Sequence, residues 1–251
     1  MSLMILLIFV LGLVIGSFLN VAIFRVHDGL SVVRGRSKCT SCEVPLGPQD
    51  LIPVVSYLAL RGRCRRCKSV ISWQYPLVEL GTALLFVAAY VLAPSTELFV
   101  RNAIFIAYLI IIFVYDLKHM LIIDKFTVPA MIIAILLNLW LGVIPAWSIL
   151  FGGVVLAAFF HLQYKISRGA WVGGGDIRMG ALMGFMLGLE HGLVALFIAY
   201  LIGAIFGAGL MITGKADRKT PIPFGVFLAL ATVIVMFYGQ EIIGWYLGFF
   251  N

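Results

Sequence analysis

The chain has 251 residues, of which 63% are hydrophobic and 12% are charged, whereas soluble globular domains carry about 25% charged residues. Its mean hydropathy of +1.10 excludes an ordinary water-soluble domain and indicates that lipid surrounds most of the protein. The apolar runs are continuous over about twenty residues, as spanning helices require, rather than alternating over about ten as in membrane barrels. We therefore predict an all-α integral membrane protein with about eight transmembrane helices.

The net charge of +7 raises the question of nucleic-acid binding. A multi-spanning membrane protein, however, collects Lys and Arg in its cytoplasmic loops for topological reasons, and these residues also attract anionic lipid. A bilayer accounts for the charge, so we expect no nucleic-acid partner.

The first predicted span covers roughly residues 3–24. It lacks the positively charged start and the small-residue cleavage pattern of a secretory signal peptide. It also continues directly into Asn20 and Arg25. We expect a permanent helix.

Residues 25–75 form a polar loop that contains all four cysteines of the chain. They occur as two Cys-x-x-Cys pairs, Cys39 with Cys42 and Cys64 with Cys67, with 21 residues between the pairs. Four thiolates at such spacings are the ligand set of a closed, structural zinc site. Unliganded cysteines and a redox pair are the alternatives, although a reducing cytosol disfavours disulfides. We predict that zinc staples this loop, which is too small for much core of its own.

The residues that follow the second cysteine of each pair are unusual for zinc knuckles. Gly is common at this place because it tolerates positive φ, whereas this chain has Glu43 and Lys68. The sequence leaves open whether the two pairs adopt the knuckle conformation.

Hydropathy and Pro/Gly punctuation place seven further spans in the rest of the chain. Their expected ranges are 76–93, 99–115, 127–144, 148–164, 177–190, 192–213 and 223–248. The sixth of the eight spans is short and rich in Gly and Met. The predicted domains are a first helix (1–24), a zinc-binding loop (25–75) and a seven-helix membrane core (76–251).

The positive residues predict one orientation, because cytoplasmic loops collect Lys and Arg. With eight spans, 17 of the 18 positive residues fall on one side and only Arg101 on the other. We therefore expect the loop at 25–75 and the turns after helices three, five and seven to be cytoplasmic, and both termini to be outside. The positive residues in those turns are Lys118, Lys125, Lys165, Arg168, Arg178, Lys215, Arg218 and Lys219.

Two acidic residues stand at span ends on this cytoplasmic side. Asp116 follows the apolar run 108–115, and Asp176 follows a run of three glycines. Two neighbouring carboxylates share a proton, so that one acts as base on a water while the other donates to a substrate carbonyl. This pattern predicts aspartic-type peptide hydrolysis, with Gly173 and Gly175 permitting close approach of backbone and substrate.

Each aspartate also has a purely structural explanation. Asp176 could cap a helix, and Asp116 could pair with Lys118 or Arg178. Asp124 precedes the helix predicted to begin near residue 127, where a carboxylate suits the helix dipole, so we expect a structural role for it. The four histidines share no spacing, and we assign them no metal.

Besides the two cysteine pairs, seven segments form an ordered pattern along nearly the whole chain. They are residues 16–21 (GSFLNV), 51–57 (LIPVVSY), 60–64 (LRGRC), 75–80 (YPLVEL), 115–117 (YDL), 173–177 (GGGDI) and 222–229 (IPFGVFLA). Together they resemble the prepilin peptidases, the bifunctional leader peptidase and N-methyltransferase family of type IV pili, type II secretion and competence systems.

The resemblance implies a Gly-x-Gly-Asp aspartic protease of the bacterial inner membrane. It would act at the cytoplasmic face and cut prepilins or pseudopilins after a glycine that precedes a hydrophobic segment, with Asp116 and Asp176 as the catalytic aspartates. It also implies methylation of the new N-terminus with S-adenosylmethionine, an activity associated with the cysteine loop. Gly62 and Glu79 match family positions in and beside that loop and are the candidate methyl-transfer residues.

Other functions remain open on the residues alone. A proton-coupled transporter would use the two aspartates as a relay and Gly-rich breaks as a midplane site, although both aspartates are expected at the membrane edge and no repeated half is visible. A zinc-bearing scaffold explains the cysteines but not the aspartates. A presenilin-like protease shares the Gly-x-Gly-Asp element but does not predict the cysteine loop.

Overall fold

The computed structural model describes residues 2–215, 217 and 220–249. In this part of the chain the regular structure is helical, apart from two isolated β-bridges in the cysteine loop (residues 25–75). The prediction of an all-α fold is confirmed. Arg218 and Lys219, two of the positive residues that predict the orientation, lie outside the described residues.

Eight α-helices follow one another in the described part of the chain. They are α1 (Ser2–His27), α2 (Val55–Ala59), α3 (Gln74–Leu92), α4 (Thr96–His119), α5 (Asp124–Leu141), α6 (Ala146–Ser167), α7 (Gly174–Ile212) and α8 (Phe224–Leu247), with a 3-10 turn at Pro48–Asp50. All except α2 are long and apolar enough to span a membrane. The chain is a multi-pass membrane protein.

The chain folds into two compact units, which meet in sequence between Ile111 and Ile112. In the first unit α1 packs closely on α3. A Cβ atom on Gly12 would lie 2.5 Å from the Cα of Ala83, and one on Gly16 would lie 2.7 Å from the Cα of Glu79. Because lipid gives helices no hydrophobic reason to associate, such close backbone packing along a Gly-x-x-x-Gly stripe is what joins them.

In the second unit α6 packs on α7 through glycines. Gly180, Gly184 and Gly188 recur every four residues along α7, and all three face α6. The closest approach is at Gly184, where an added Cβ would lie 2.1 Å from the carbonyl carbon of Gly152. Only glycine permits the two backbones to come this near.

α7 is a helical hairpin rather than one straight helix. Gly188 has φ 76° and ψ −176°, which is not helical. In a straight helix, residues 184 and 192 would be about 12 Å apart along the axis, yet a Cβ on Gly192 would lie 3.6 Å from the Cα of Gly184. The chain therefore reverses at Gly188 and gives two segments, 174–187 and 189–212.

Two buried polar side chains satisfy the backbone at this reversal. The Asn138 amide donates to the carbonyl oxygens of Phe185 (2.8 Å) and Met186 (3.1 Å), and the N–H of Leu189 donates to Ser148 Oγ at 3.0 Å. Without such partners, the interrupted helix would leave buried backbone polar groups unpaired.

The hairpin supplies the two separate spans that the sequence predicts at 177–190 and 192–213. Among the described residues seven helices qualify as spans by length and composition, with α7 counted as one. Its reversal at Gly188 raises the number of apolar segments to eight. The first segment, residues 174–187, is the short Gly- and Met-rich one, and Asp176 lies in its first turn.

Candidate active site and metal centre

Asp116 lies in the last turn of α4 and is only 4% exposed. Its Oδ2 accepts a hydrogen bond of 3.1 Å from the backbone N–H of Val226, in the first turn of α8. The carboxylate is thus buried at the end of one apolar helix and held by the beginning of another, 110 positions along the chain.

Asp176 lies in the first turn of α7 and is 7% exposed. Its Oδ2 accepts the N–H of Gly173 at 2.8 Å, while its own N–H donates to the Gly173 carbonyl at 3.1 Å. The alternative that Asp176 caps a helix is therefore correct for one carboxylate oxygen. The capping bond uses only Oδ2 of the two carboxylate oxygens.

The structure brings the two aspartates together. Their carboxylates are near enough for the charge of Asp116 to act on Asp176, and Ile122 lies beside Gly175, the residue before Asp176, and beside Gly225 at the Asp116 carboxylate. A Cβ on Gly175 would lie 2.8 Å from the Cβ of Ile122, and one on Gly225 would lie 2.8 Å both from Ile122 Cδ1 and from Asp116 Oδ2. The ends of α4, α7 and α8 therefore converge on one buried acidic pair.

The two predicted glycines differ in what they do. Gly175 is required by close approach, because a side chain there would collide with Ile122. Gly173 has φ −79° and ψ 160°, ordinary extended values, and a Cβ there would make an ordinary contact of 3.6 Å with Asp176. Its structural contribution is the N–H that it donates to Asp176.

The third acid, Asp124, has a different environment. It is the first residue of α5, its side chain is 61% exposed, and it forms an ion pair with Arg178. Arg178 therefore pairs with Asp124 and not with Asp116. The position and partner of Asp124 fit the structural role expected for it.

The four cysteine sulfurs form one cluster in the first unit. All four Sγ atoms lie within 4.8 Å of one another, and those of Cys39 and Cys67 are 3.9 Å apart. Four sulfurs placed tetrahedrally at about 2.3 Å from a zinc ion are about 3.8 Å from each other. The cluster therefore fits a four-thiolate metal site, and it is the only such group of metal-binding side chains in the described part of the chain.

Both Cys-x-x-Cys pairs adopt the same knuckle. The N–H groups of Cys39 and Cys64 donate to carbonyl oxygens five residues on, and the N–H groups of Glu43 and Lys68 donate back to Cys39 and Cys64 at 3.0 Å. Glu43 has φ 57° and Lys68 has φ 59°. The knuckle therefore forms although neither Glu43 nor Lys68 is Gly. Its hydrogen bonds offset the cost of a positive φ, which is about 1–2 kcal/mol.

The local hydrogen bonds favour thiolates at two of the four ligands. The backbone N–H groups of Cys42 and Ser41 lower the pKa of Cys39 to about 6. The Ser69 hydroxyl lowers the pKa of Cys67. At Cys42 the Val44 N–H lowers the pKa, but desolvation and the neighbouring sulfurs outweigh it and raise it to about 11. A bound cation would remove this mutual repulsion.

Gly62 and Glu79 lie in the first unit, with different surroundings. Gly62 has φ 66°, and a Cβ there would lie 2.9 Å from the Tyr57 hydroxyl oxygen. Glu79 is 6% exposed and accepts the N–H of Val54 at 2.7 Å. Val54 has φ 60°, which is rare for a β-branched residue. The Glu79 carboxylate thus fixes a strained turn at the start of α2.

A second polar pair lies at the α1–α3 contact. The Asn20 amide donates to the carbonyl oxygen of Tyr75 at 3.1 Å, and the Gln74 amide donates to Asn20 Oδ1 at 3.1 Å. Gln74 Oε1 is buried with no hydrogen-bond partner in the described part of the chain. Inspection of the sequence assigns no role to Gln74, Val54 or Ile122, because their positions depend on contacts between distant segments.

Two family profiles match the chain in succession. Residues 10–93 match the bacterial peptidase A24 N-terminal domain, and residues 103–208 match the type IV leader peptidase family. No solved structure is significantly similar.

Named relatives extend the similarity over nearly the full length. The chain is 36% identical over 248 residues to the prepilin leader peptidase/N-methyltransferase of Bacillus subtilis (strain 168), and the match covers 96% of each. It is 33% identical over 272 residues to the protein of the same name from Aeromonas salmonicida (strain A449), covering 96% of this chain and 93% of the relative. For that of Myxococcus xanthus (strain DK1622) the identity is 38% over 218 residues, covering 85% and 65%. The chain belongs to the type IV leader peptidase family.

Proposed function

We propose that this chain removes the leader peptides of prepilins or pseudopilins and then methylates the new N-terminus, with Asp116 and Asp176 as the proteolytic pair. The observation that supports the protease assignment most directly is the buried pairing of these two carboxylates at helix ends. Ionisable groups in apolar spans are costly and are usually functional. The second unit contains the two aspartates, and membership of the family indicates the class of substrate.

The paired carboxylates perform hydrolysis by dividing one proton between them. The ionised aspartate removes a proton from a water, which attacks the scissile carbonyl, while the protonated aspartate donates to the carbonyl oxygen. The backbone N–H groups of Val226 and Gly173 each hold one oxygen of a carboxylate. This fixes the orientation of both acids without neutralising either with a cation.

The location of the aspartates favours a protease over a proton-coupled transporter. Asp116 is in the last turn of its helix and Asp176 in the first turn of its own, whereas a transport site lies near the middle of the bilayer. The distribution of Lys and Arg supports a bacterial inner-membrane protein with the aspartates and the cysteine loop in the cytoplasm. The hydrophobic segment of a prepilin can approach such a site from the lipid.

Zinc is the metal that we propose for the four-cysteine cluster. Four thiolates at tetrahedral spacing leave no open position for water, so the ion has a structural role and holds the two knuckles together. We retain the division into a first helix (1–24), a zinc loop (25–75) and a membrane core (76–251) as part of this proposal.

For methyl transfer we assign Glu79 and Gly62 in the first unit. S-adenosylmethionine supplies an electrophilic methyl group to the new N-terminal amine. A buried carboxylate such as Glu79 can hold that amine and accept the proton it releases. Gly62 leaves room beside the Tyr57 ring that no other residue would leave.

Co-expression with a prepilin, followed by intact-mass analysis of the product, tests the proposal as a whole. We expect loss of the leader and gain of one methyl group. A product that keeps its leader in the presence of correctly inserted protein would contradict the protease assignment. A cleaved product without the methyl group would contradict only the methyltransferase assignment.

Glu79→Gln should give a pilin that is cleaved but not methylated. The amide oxygen still accepts the Val54 N–H, so the turn at α2 is kept, but the neutral side chain cannot accept a proton from the amine. The expected loss of methylation is about 10²–10⁴-fold, as for removal of a general base. Intact-mass analysis of the processed pilin measures both activities together.

Glu43→Gln is the matched control, because Glu43 is exposed and pairs only with Lys38 on the loop surface. It should leave methylation and cleavage near the wild-type level. If Glu79→Gln methylates normally, Glu79 has no role in methyl transfer and serves only to hold the turn at Val54.

A further inference from the structure

The start of α8 lacks a capping side chain of its own. Pro223 occupies the N-cap position, has φ −66°, and forms no side-chain capping bond. The first N–H groups of any helix have no partner within it, and in a membrane they need one. Here the Asp116 carboxylate, from another helix, accepts the Val226 N–H at 3.1 Å.

Gly225 is fitted to this contact. It lies in α8 and is not among the residues with positive φ, so its backbone does not require glycine. A Cβ at this position would lie 2.8 Å from Oδ2 and 3.1 Å from Cγ of Asp116. Glycine is a poor helix former, and two neighbours leave no room for a side chain here: the Asp116 carboxylate and Ile122 Cδ1.

We propose that the first turn of α8, through the missing Cβ of Gly225 and the N–H of Val226, is a positioning element that sets the orientation of the Asp116 carboxylate toward Asp176. This inference rests on the proposed protease function and adds a third helix end to the catalytic pair. The free oxygen of Asp116 can face the substrate only if Oδ2 is held in place. Gly225 and Val226 lie against the Asp116 carboxylate and would act through it.

Gly225→Ala tests the proposal in the purified full-length protein with a prepilin substrate. The added methyl group displaces the carboxylate, and a misplacement of about 1 Å can cost about 100-fold in rate. We expect kcat per folded molecule to fall by about that factor while KM for the prepilin stays within about threefold, because substrate binding does not depend on one carboxylate oxygen.

Gly244→Ala on the same helix is the matched control. Gly244 is exposed, and a Cβ there would meet no atom within 4 Å. Both variants exchange Gly for Ala within α8, so they share the change in helix propensity. The control should retain the wild-type kcat and KM.

A second variant separates displacement of the Asp116 carboxylate from a steric clash with Ile122. The same Cβ would lie 2.8 Å from Ile122 Cδ1, and Ile122→Val removes that atom. In the double variant Gly225→Ala with Ile122→Val, we expect improved thermal stability over the single variant and no recovery of kcat. Recovery of kcat would show that Gly225 only makes room for Ile122, and would overturn the proposal.

Failure of this inference differs from failure of the protease assignment. If Gly225→Ala keeps the wild-type kcat while Asp116→Asn is inactive, α8 does not position the pair, and the protease assignment stands. If Asp116→Asn itself cleaves normally, the assignment and the positioning role both fall.

Discussion

Replacing either Asp116 or Asp176 by asparagine should abolish leader cleavage. A paired-carboxylate mechanism needs one ionised and one protonated partner, and a neutral amide can supply neither. Because residues that act as one unit are strongly non-additive, each single change should lower kcat by about 10³-fold or more. Intact-mass analysis of a co-expressed prepilin, with the enzyme level measured in the membrane fraction, gives the result.

The asparagine variants should fold normally. Asn keeps a carbonyl oxygen that can accept the Val226 N–H at position 116 and the Gly173 N–H at position 176, so both helix caps survive. Loss of cleavage would then report the loss of the acid–base pair rather than a melted helix end. Unchanged insertion and an unchanged metal content of the cysteine loop are the checks.

Asp124→Asn is the control for this pair. It removes one exposed ion pair with Arg178 and a favourable helix-end charge, worth together about 0.3–1 kcal/mol. Most activity should remain. An indispensable Asp124 together with a dispensable Asp116 would mean that the pair is wrongly assigned, and normal processing by all three variants would end the aspartic-protease proposal.

Changing Cys39 and Cys64 together to serine should remove the zinc and the methylation and leave cleavage in place. The two changes together delete one ligand from each knuckle, and the two remaining thiolates cannot hold a structural zinc ion. The cysteines lie in the first unit and the aspartates in the second, so we expect cleavage to persist without the metal. We expect about one zinc per wild-type chain and none in the variant, by elemental analysis.

Lys68→Gly is a control in the second knuckle, which contains Cys64 and Cys67. It keeps all four sulfurs and relieves the positive φ of 59° at that residue, so zinc content and methylation should be retained. Absence of zinc from the wild-type protein would contradict the metal assignment. Loss of cleavage in a normally inserted cysteine variant would show that the loop is required for proteolysis and that the two activities are not separable.

The class of protein and most of its elements follow from the sequence. Continuous apolar runs determine the spans, because burying a helix in lipid depends on its own composition and length. The expected start and end residues agree with the helices within a few residues at most ends. α4 is longer than expected, so that Asp116 falls inside its last turn rather than after it.

The four-cysteine site can also be predicted from the sequence, for a chemical reason. A Cys-x-x-Cys pair places two thiolates on one tight turn, so half of a metal site is encoded within four residues. The sequence left open whether Glu43 and Lys68 permit the knuckle. The structure answers this, since both residues adopt positive φ and the four sulfurs come together.

The sequence by itself determined a multi-pass membrane protein, its apolar segments, its cysteine cluster and the two aspartates as candidates, because each is a property of a short stretch of chain. Only the tertiary structure decided that α7 reverses at Gly188 with Asn138 and Ser148 as its caps, that Arg178 pairs with Asp124, and that Val226 holds Asp116. These contacts join residues between 41 and 110 positions apart. No local periodicity records such pairings. Arg178 and Asp124 meet only because the fold brings two helix ends together, and the buried contacts arise because helix ends left without hydrogen-bond partners find them on other helices in a bilayer, which offers none.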